Sequence, residues 1–243
     1  MPTRAACRSW TGPTKFTEIR SGGWSCASTR RVSQPPPDAA DDVIRAMRSL
    51  EHSYLLGVEG VTEIWLVRHA DVYDGLDDVR DPPLSPRGRE QARRVAQRVR
   101  LLPVAAVYAS PARRAQETAR LLSDEVRLDS RLGEAAARFT GGRLTVDERP
   151  ESVVDRMRRA VDDAVATHPA ARVVMIGHGI AILNYLADVL RLSPGTLRLY
   201  PPFTGVSIVR AHDGRRAVGT LFDVSHLEAM SPSPTGGGSG WGQ

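Results

Sequence analysis

Two short apolar runs, Ile64-Trp65-Leu66-Val67 and Val173-Val174-Met175-Ile176, constrain this chain more than any other feature. Each is too short for a buried helix, and neither alternates with polar residues as a half-exposed strand would. A continuous apolar run of this length is the mark of a strand covered on both faces. Such strands need helices above and below them, so the runs call for a sheet sandwiched between helical layers. Helical patterning lies between and after them. Ser85-Pro86 offers an N-cap and a proline at the first helical position, and Ala92, Val95, Ala96, Val99 and Leu102 follow on one face up to Pro103. Val104 to Tyr108 reads as another strand. Ser110-Pro111 repeats the cap signal before Ala115, Ala119 and Leu122. Val154, Met157, Val161 and Val165 mark a helix from about Ser152 to Thr167, and Ile182, Tyr185, Leu186 and Leu190 mark one that starts after Gly177-His178-Gly179. Gly205–Ala211 and Ala217–Val224 flank Asp213-Gly214, a hairpin turn signal. The expected fold is α/β: one three-layer α/β/α domain with a mostly parallel sheet and an antiparallel edge.

The ends differ from this body. Residues 1–40 are rich in Ser, Thr, Arg, Gly and Pro, show no periodicity, and include Pro35-Pro36-Pro37. They are expected to form a disordered basic tail. Residues 41–60 are expected to hold an amphipathic helix and linker, because Val43, Ile44, Met47, Leu50 and Tyr54 recur at helical spacing; this face would pack on the body or on a partner. Residues 61–229 make the domain, and residues 230–243, with Pro234-Thr235-Gly236-Gly237-Gly238, read as a flexible tail.

The net charge of +5 suggests nucleic acid until the charge is located. Arg4, Arg8, Lys15, Arg20, Arg30 and Arg31 against Glu18 account for the whole excess before residue 38, and the remainder is neutral. A solvated tail explains that distribution, so no nucleic-acid partner is expected. No apolar run approaches the roughly 20 residues needed to span a bilayer, and the first 30 residues hold no apolar signal core. No membrane association is expected, and the reading is cytoplasmic. The only cysteines, Cys7 and Cys26, cannot make a disulfide framework or a four-cysteine zinc site.

In open α/β sheets, ligands bind beyond the carboxyl ends of the strands. Three strand ends carry polar residues: Arg68-His69-Ala70-Asp71, Ser110-Pro111-Ala112-Arg113-Arg114, and Gly177-His178-Gly179. If those strands are neighbours, two histidines and two or three arginines converge. Such a pocket requires an anion, and phosphate matches it best. The helix starting near Gly179 would add main-chain N–H groups and a positive dipole end. A neutral histidine in the middle could attack phosphorus. His69 and His178 lack metal-ligand spacing, and adjacent arginines would repel a cation, so no metal and no cofactor are expected. His52, His168, His212 and His226 read as surface or structural.

Leu66-Val67-Arg68-His69, Leu84-Ser85-Pro86-Arg87-Gly88-Arg89-Glu90-Gln91-Ala92, Ser110-Pro111-Ala112-Arg113-Arg114-Ala115-Gln116-Glu117-Thr118-Ala119, Leu132-Gly133-Glu134 and Ile176-Gly177-His178-Gly179 occur in this order. Together they resemble the histidine phosphatase superfamily, which includes the cofactor-dependent phosphoglycerate mutases and many phosphatases. The resemblance spans about residues 62–225 and implies a phosphoglycerate mutase-like fold. It also implies roles: His69 as nucleophile, Arg68 and Arg114 as phosphoryl ligands, His178 as a contact to the same group, and Glu134 as general acid and then base. Arg114 matches the family arginine better than Arg113, which would sit at the rim.

The chain departs from the family pattern in three places. Ala70 stands where glycine is usual, as in relatives resembling phosphohistidine phosphatases. Asp71-Val72-Tyr73-Asp74 lacks the Glu-Ser or Glu-Thr pair and the asparagine of mutases. Ala135-Ala136-Ala137-Arg138 replaces an aromatic, glycine-rich run, and the stretch from Glu134 to His178 is short. These departures favour a phosphatase over a mutase. The expected activity is metal-independent hydrolysis of a small phosphorylated metabolite through a phosphohistidine. The alternatives are a protein phosphohistidine phosphatase, a mutase, or a phosphate-binding scaffold without turnover. Gly179 and Asp71 are expected to line the substrate site, with Asp71 a second candidate acid. A monomer and a dimer are both compatible with the sequence.

Overall fold

A computed structural model describes residues 37–73, 81–140 and 143–228. The tails expected before residue 37 and from residue 229 lie outside the described residues. Residues 43–243 cluster as one unit, apart from residues 1–42.

The sheet is built from β1 (Thr62–Arg68), β2 (Ala106–Ala109), β3 (Val126–Leu128) and, further along the chain, β6 (Arg172–Gly177), β7 (Val206–His212) and β8 (Arg215–Asp223). Its spatial order is β3-β2-β6-β1-β7-β8. The β2–β3, β2–β6 and β1–β6 pairs are parallel, whereas β1–β7 and β7–β8 are antiparallel. The two apolar runs are therefore neighbours, with Ile64 opposite Val173 and Val67 opposite Ile176. A separate two-stranded ribbon, β4 (Ala137–Thr140) and β5 (Arg143–Val146), was not expected from the sequence.

Side-chain alternation splits the apolar strands between two cores. Ile64, Leu66, Val173 and Met175 pack with Val153, Met157 and Val161 of α4 (Pro150–Thr167) and with Ile182, Tyr185 and Leu186 of α5 (Gly179–Val189). Trp65, Val67, Val174 and Ile176 pack on the other face with Val95, Ala96 and Val99 of α2 (Pro86–Arg100) and with Ala115 and Ala119 of α3 (Arg113–Arg120). This is the three-layer arrangement that the continuous apolar runs require.

The start of α2 follows the sequence signal. Ser85 Oγ accepts the Gly88 N–H at 2.9 Å, and Pro86 takes the first helical position. The same signal at Ser110-Pro111 misleads. There the N-cap is Ala112, with no side-chain cap, and α3 begins at Arg113. Ser110 is still part of the sheet ladder, because its N–H donates to Ile176 O at 2.9 Å. Its hydroxyl accepts the Ala112 N–H at 3.3 Å, one residue short of the helix, and also meets His178 Nε2 at 2.9 Å. The carboxylate of Asp81 accepts the Arg113 N–H instead, at 2.6 Å.

The helix expected from residue 41 is α1, Pro37–Ser53, so it begins inside the segment assigned to the tail. Its apolar face does not pack on the described body: Val43, Ile44, Met47 and Leu50 are each about half exposed or more. The Arg215 guanidinium donates to His52 O and Ser53 O at its end. Among the described residues, no helix is long and apolar enough to cross a membrane.

Candidate active site

The strand ladders position the reactive side chains. His69 directly follows β1, and its N–H donates to Gly177 O at 2.9 Å. This extends the β1–β6 pairing by one residue and fixes His69 beside His178. Ser110 is fixed on the other side of His178 by its bond to Ile176 O. Both histidines are buried, and their ring centroids lie 5.1 Å apart.

Burial and the neighbouring guanidiniums decide their protonation. Desolvation dominates at His69 and pushes its pKa down to about 3; the Arg114 and Arg68 charges add to this, while the bond to Ala70 O opposes it. His178 is pushed down to about 2 by burial, with smaller contributions from His69, Arg114, Arg68 and Arg156. Both rings are therefore neutral near pH 7, and their tautomers follow from their partners. A carbonyl can only accept, so His69 Nδ1 carries the proton and donates to Ala70 O at 2.8 Å. Its Nε2 keeps a lone pair and accepts from Arg114 Nε at 3.3 Å. In His178 the order is reversed. Nδ1 accepts from Arg114 Nη2 at 3.2 Å, and Nε2–H donates to Ser110 Oγ at 2.9 Å.

Arg114 thus contacts both imidazoles. Its remaining nitrogen, Nη1, donates to Asp81 Oδ1 at 3.1 Å. Thr118 ties the base of this guanidinium to the strand end: its Oγ1 accepts the Ala70 N–H at 3.0 Å and donates to Arg114 O at 2.7 Å. Arg68 approaches from β1. Its Nη1 bonds Pro201 O, and its guanidinium carbon lies 4.0 Å from the Phe203 ring centroid, a cation–π contact. Its Nε is buried without a hydrogen-bond partner. A Cβ added at Gly179 would lie 3.4 Å from that nitrogen and 3.0 Å from Pro201 Cγ. Glycine therefore keeps space open beside an unpartnered, positively charged donor, which is what an anion site requires.

Glu134 lies at the start of α5. Oε1 accepts the Ala135 and Ala181 N–H groups at 2.9 and 3.1 Å, and Oε2 accepts the Ile180 N–H at 3.5 Å. The N-cap residue, His178, supplies no side-chain cap, so Glu134 fills that role from another loop. Arg156 holds this loop through Arg131 O and Gly133 O at 2.6 and 2.8 Å.

Asp71 is placed differently. Its Oδ2 accepts from Ser85 Oγ at 2.7 Å, and its N–H donates to Gln91 Oε1 at 3.0 Å. Its carboxylate is thus engaged at the start of α2. Arg113 is a rim residue, with Nε on Glu117 Oε1 at 2.7 Å. Ala70 is fully buried against Leu84 and Ala92. Its methyl group belongs to the core.

The structure brings Arg68, His69, Arg114, His178 and Gly179 together, with Glu134 on the adjoining helix end. Four contributors escaped the sequence reading: Ser110, which looked like a cap, and Asp81, Thr118 and Phe203. Thr118 lay within a quoted motif, so its period-four spacing from Arg114 was an available signal. Asp81 and Phe203 come from connecting segments that carry none. Among the described residues, no group of three or more His, Cys, Asp or Glu side chains is arranged to hold a metal ion.

Known proteins resemble this chain in sequence and in fold. The sequence model of the histidine phosphatase superfamily (branch 1) matches residues 64–145 and 135–224. A protein of Erwinia tasmaniensis named probable phosphoglycerate mutase GpmB is 27% identical over 205 residues, covering 68% of this chain and 95% of that protein. Among solved structures, a phosphoserine phosphatase from Entamoeba histolytica in complex with phosphoserine has a TM-score of 0.60 at 19% identity and covers 68% of this chain and 99% of its own. A mycobacterial glucosyl-3-phosphoglycerate phosphatase in complex with VO3 has a TM-score of 0.56 at 21% identity, covering 66% and 98%. At these identities the structural matches speak for the fold.

Proposed function

The chain belongs to the histidine phosphatase superfamily, and within it we propose that this protein is a phosphatase that hydrolyses a small phosphomonoester through a phosphohistidine at His69. The observation that carries the reading is the tautomer of His69. Its Nδ1–H is spent on Ala70 O, so Nε2 carries the lone pair, and that lone pair points at the Arg114 guanidinium where an anion would bind.

The steps follow from the side chains. An arriving phosphate ester takes Arg114 from the imidazoles and Arg68 Nε from its unpartnered state. These two donors hold the non-bridging oxygens and neutralise charge as the transition state forms. The negative charge of the ester offsets the positive field around His178. His178 Nδ1, freed of Arg114, accepts a hydrogen bond from the P–OH of the ester monoanion, while Nε2–H stays on Ser110. His69 Nε2 attacks phosphorus, and the leaving oxygen is protonated by Glu134. Water attacks the phosphohistidine, Glu134 receives its proton, and orthophosphate departs. Glu134 is the acid in this reading because the resemblance gives it that role and it lies at the helix end beside His178, whereas Asp71 bonds Ser85 at the start of α2.

Hydrolysis is preferred to mutase chemistry for the departures at 71–74 and 135–138. Relatives carry names of both kinds. Arg-His-Ala gives no support to a protein phosphohistidine substrate, because the Ala70 methyl faces the core.

The test is phosphate release from a panel of phosphomonoesters with EDTA present, comparing wild type with His69→Ala. Turnover that disappears in the variant supports the reading. Turnover that survives removes His69 as nucleophile, and transfer of phosphate between hydroxyls of the substrate without release would make the protein a mutase.

A further inference from the structure

His226 is a half-buried titratable group that the proposed chemistry does not use. It lies in a short 3-10 turn, Ser225–Leu227, after the last strand. Its Nε2 is 3.0 Å from Thr204 Oγ1, and its Nδ1 is buried without a partner. Thr204 is fully buried and has φ +56°, the left-handed region that a β-branched residue avoids. Something must hold it there. Its N–H donates to Arg68 O at 3.0 Å, with a longer contact to His69 O at 3.4 Å. Its hydroxyl proton goes to Phe203 O at 2.7 Å, so its oxygen accepts from His226 Nε2–H.

Thr204 therefore fastens two things at once. Through its main chain it grips the end of β1 at Arg68 and His69. Through Phe203 it sets the aromatic face that lies against the Arg68 guanidinium, with the same ring 5.6 Å from the His69 ring centroid.

We propose that His226 is a positioning residue that fixes Arg68 for phosphoryl binding, acting through Thr204. The assignment rests on the phosphatase reading of Arg68. The groups facing His226 keep it a neutral donor. Burial, then Arg98, lower its pKa to about 4; Arg94 acts in the same direction, and Asp223, paired with Arg98 at 2.6 Å, opposes them. A proton on Nδ1 would be buried without an acceptor, so the single proton stays on Nε2.

The experiment is a double-mutant cycle on kcat/KM for p-nitrophenyl phosphate, with wild type, His226→Leu, Arg68→Ala and the pair. His226→Leu is expected to lower kcat/KM about tenfold, mainly by raising KM, and to cost nothing further in the Arg68→Ala background. His226→Gln, whose amide N–H can reach Thr204, should recover activity to within about threefold of wild type. If His226→Leu does not fold, Thr204→Val breaks the same contact from the other side and should couple to Arg68→Ala in the same way. An unchanged KM in His226→Leu, or a loss that multiplies fully with that of Arg68→Ala, overturns the proposal. If wild type releases no phosphate from any ester, the phosphatase reading fails separately. Vanadate binding by calorimetry then decides: a dissociation constant raised in His226→Leu and restored in His226→Gln upholds the coupling, and an unchanged one removes it.

Discussion

Glu134 Oε1 accepts the main-chain N–H of Ala181 at 3.1 Å, so the carboxylate expected to shuttle protons is also the N-terminal cap of α5. The two roles separate by substitution. Glu134→Gln keeps a side-chain oxygen for the cap and loses the transferable proton. Esters with alkyl leaving groups should slow by roughly 10²-fold or more, while p-nitrophenyl phosphate, whose leaving group needs little protonation, should be nearly unaffected. Glu134→Ala should in addition lose about 1 kcal/mol of stability, read as a lower melting temperature. Equal slowing of both ester classes by Glu134→Gln would take the acid role away from this residue.

Arg114 is the donor shared by both imidazoles, so its loss should exceed that of a rim charge. Arg114→Ala should lower kcat/KM by roughly 10²–10³, the scale for one preorganised charge-stabilising donor. Arg113→Ala should stay within about threefold, since its guanidinium pairs with Glu117 at the surface. Vanadate should inhibit wild type, and EDTA should leave turnover unchanged. Comparable losses in the two arginine variants would mean that the wrong guanidinium has been placed at the phosphoryl group.

Gly88 packs tightly against main chain beside the site. A Cβ built there would sit 1.9 Å from Asp71 O, far inside contact distance, and the obstacle is main chain. Gly88→Ala must push α2 away from the 70–72 segment or unfold its first turn. The expected cost is about 3 kcal/mol, seen in thermal or urea unfolding. A variant that melts within a degree or two of wild type would contradict this packing.

The depressed histidines make stability depend on pH with a definite sign. His69 and His178 have folded pKa values of about 3 and about 2, against 6.5 when unfolded. Between those limits the unfolded chain binds more protons, so stability is full above about pH 6.5 and falls as pH drops toward 3. The melting temperature should be flat from pH 7 to 8 and decline below pH 6.5. His178→Asn, which removes one such proton, should give a shallower decline. A melting temperature that rises on acidification would refute the buried, neutral assignment.

The strands covered on both faces were readable because burial on both sides removes alternation from the sequence. β3 was not, because it is a three-residue edge strand, Val-Arg-Leu, with one apolar end exposed. The β4–β5 ribbon has Gly141-Gly142 between its strands, a usable turn signal, but its flanks carry little apolar patterning. In the site, His69 and His178 were legible because each ends a buried strand, and Arg114 because it opens a motif-bearing helix. Asp81, Phe203 and Thr204 reach the site from connections, where sequence neighbours say nothing about spatial ones. Ser110 shows the reverse error: the local pattern matched that of Ser85, but the ladder bond to Ile176 kept it in the sheet and turned its hydroxyl toward His178.

The resting position of Arg114 bears on how a cycle ends. Its guanidinium donates to His69 Nε2 from Nε and to His178 Nδ1 from Nη2. The site therefore offers internal acceptors to Arg114, while Arg68 Nε keeps no partner of its own. Reclosure of those two bonds offsets part of the cost of ejecting a dianion from between two arginines. The same self-filling makes loosely held anions compete with an internal ligand before they compete with substrate. Orthophosphate and sulfate should be weak inhibitors of such a site, and turnover should run to completion without stalling on accumulated product.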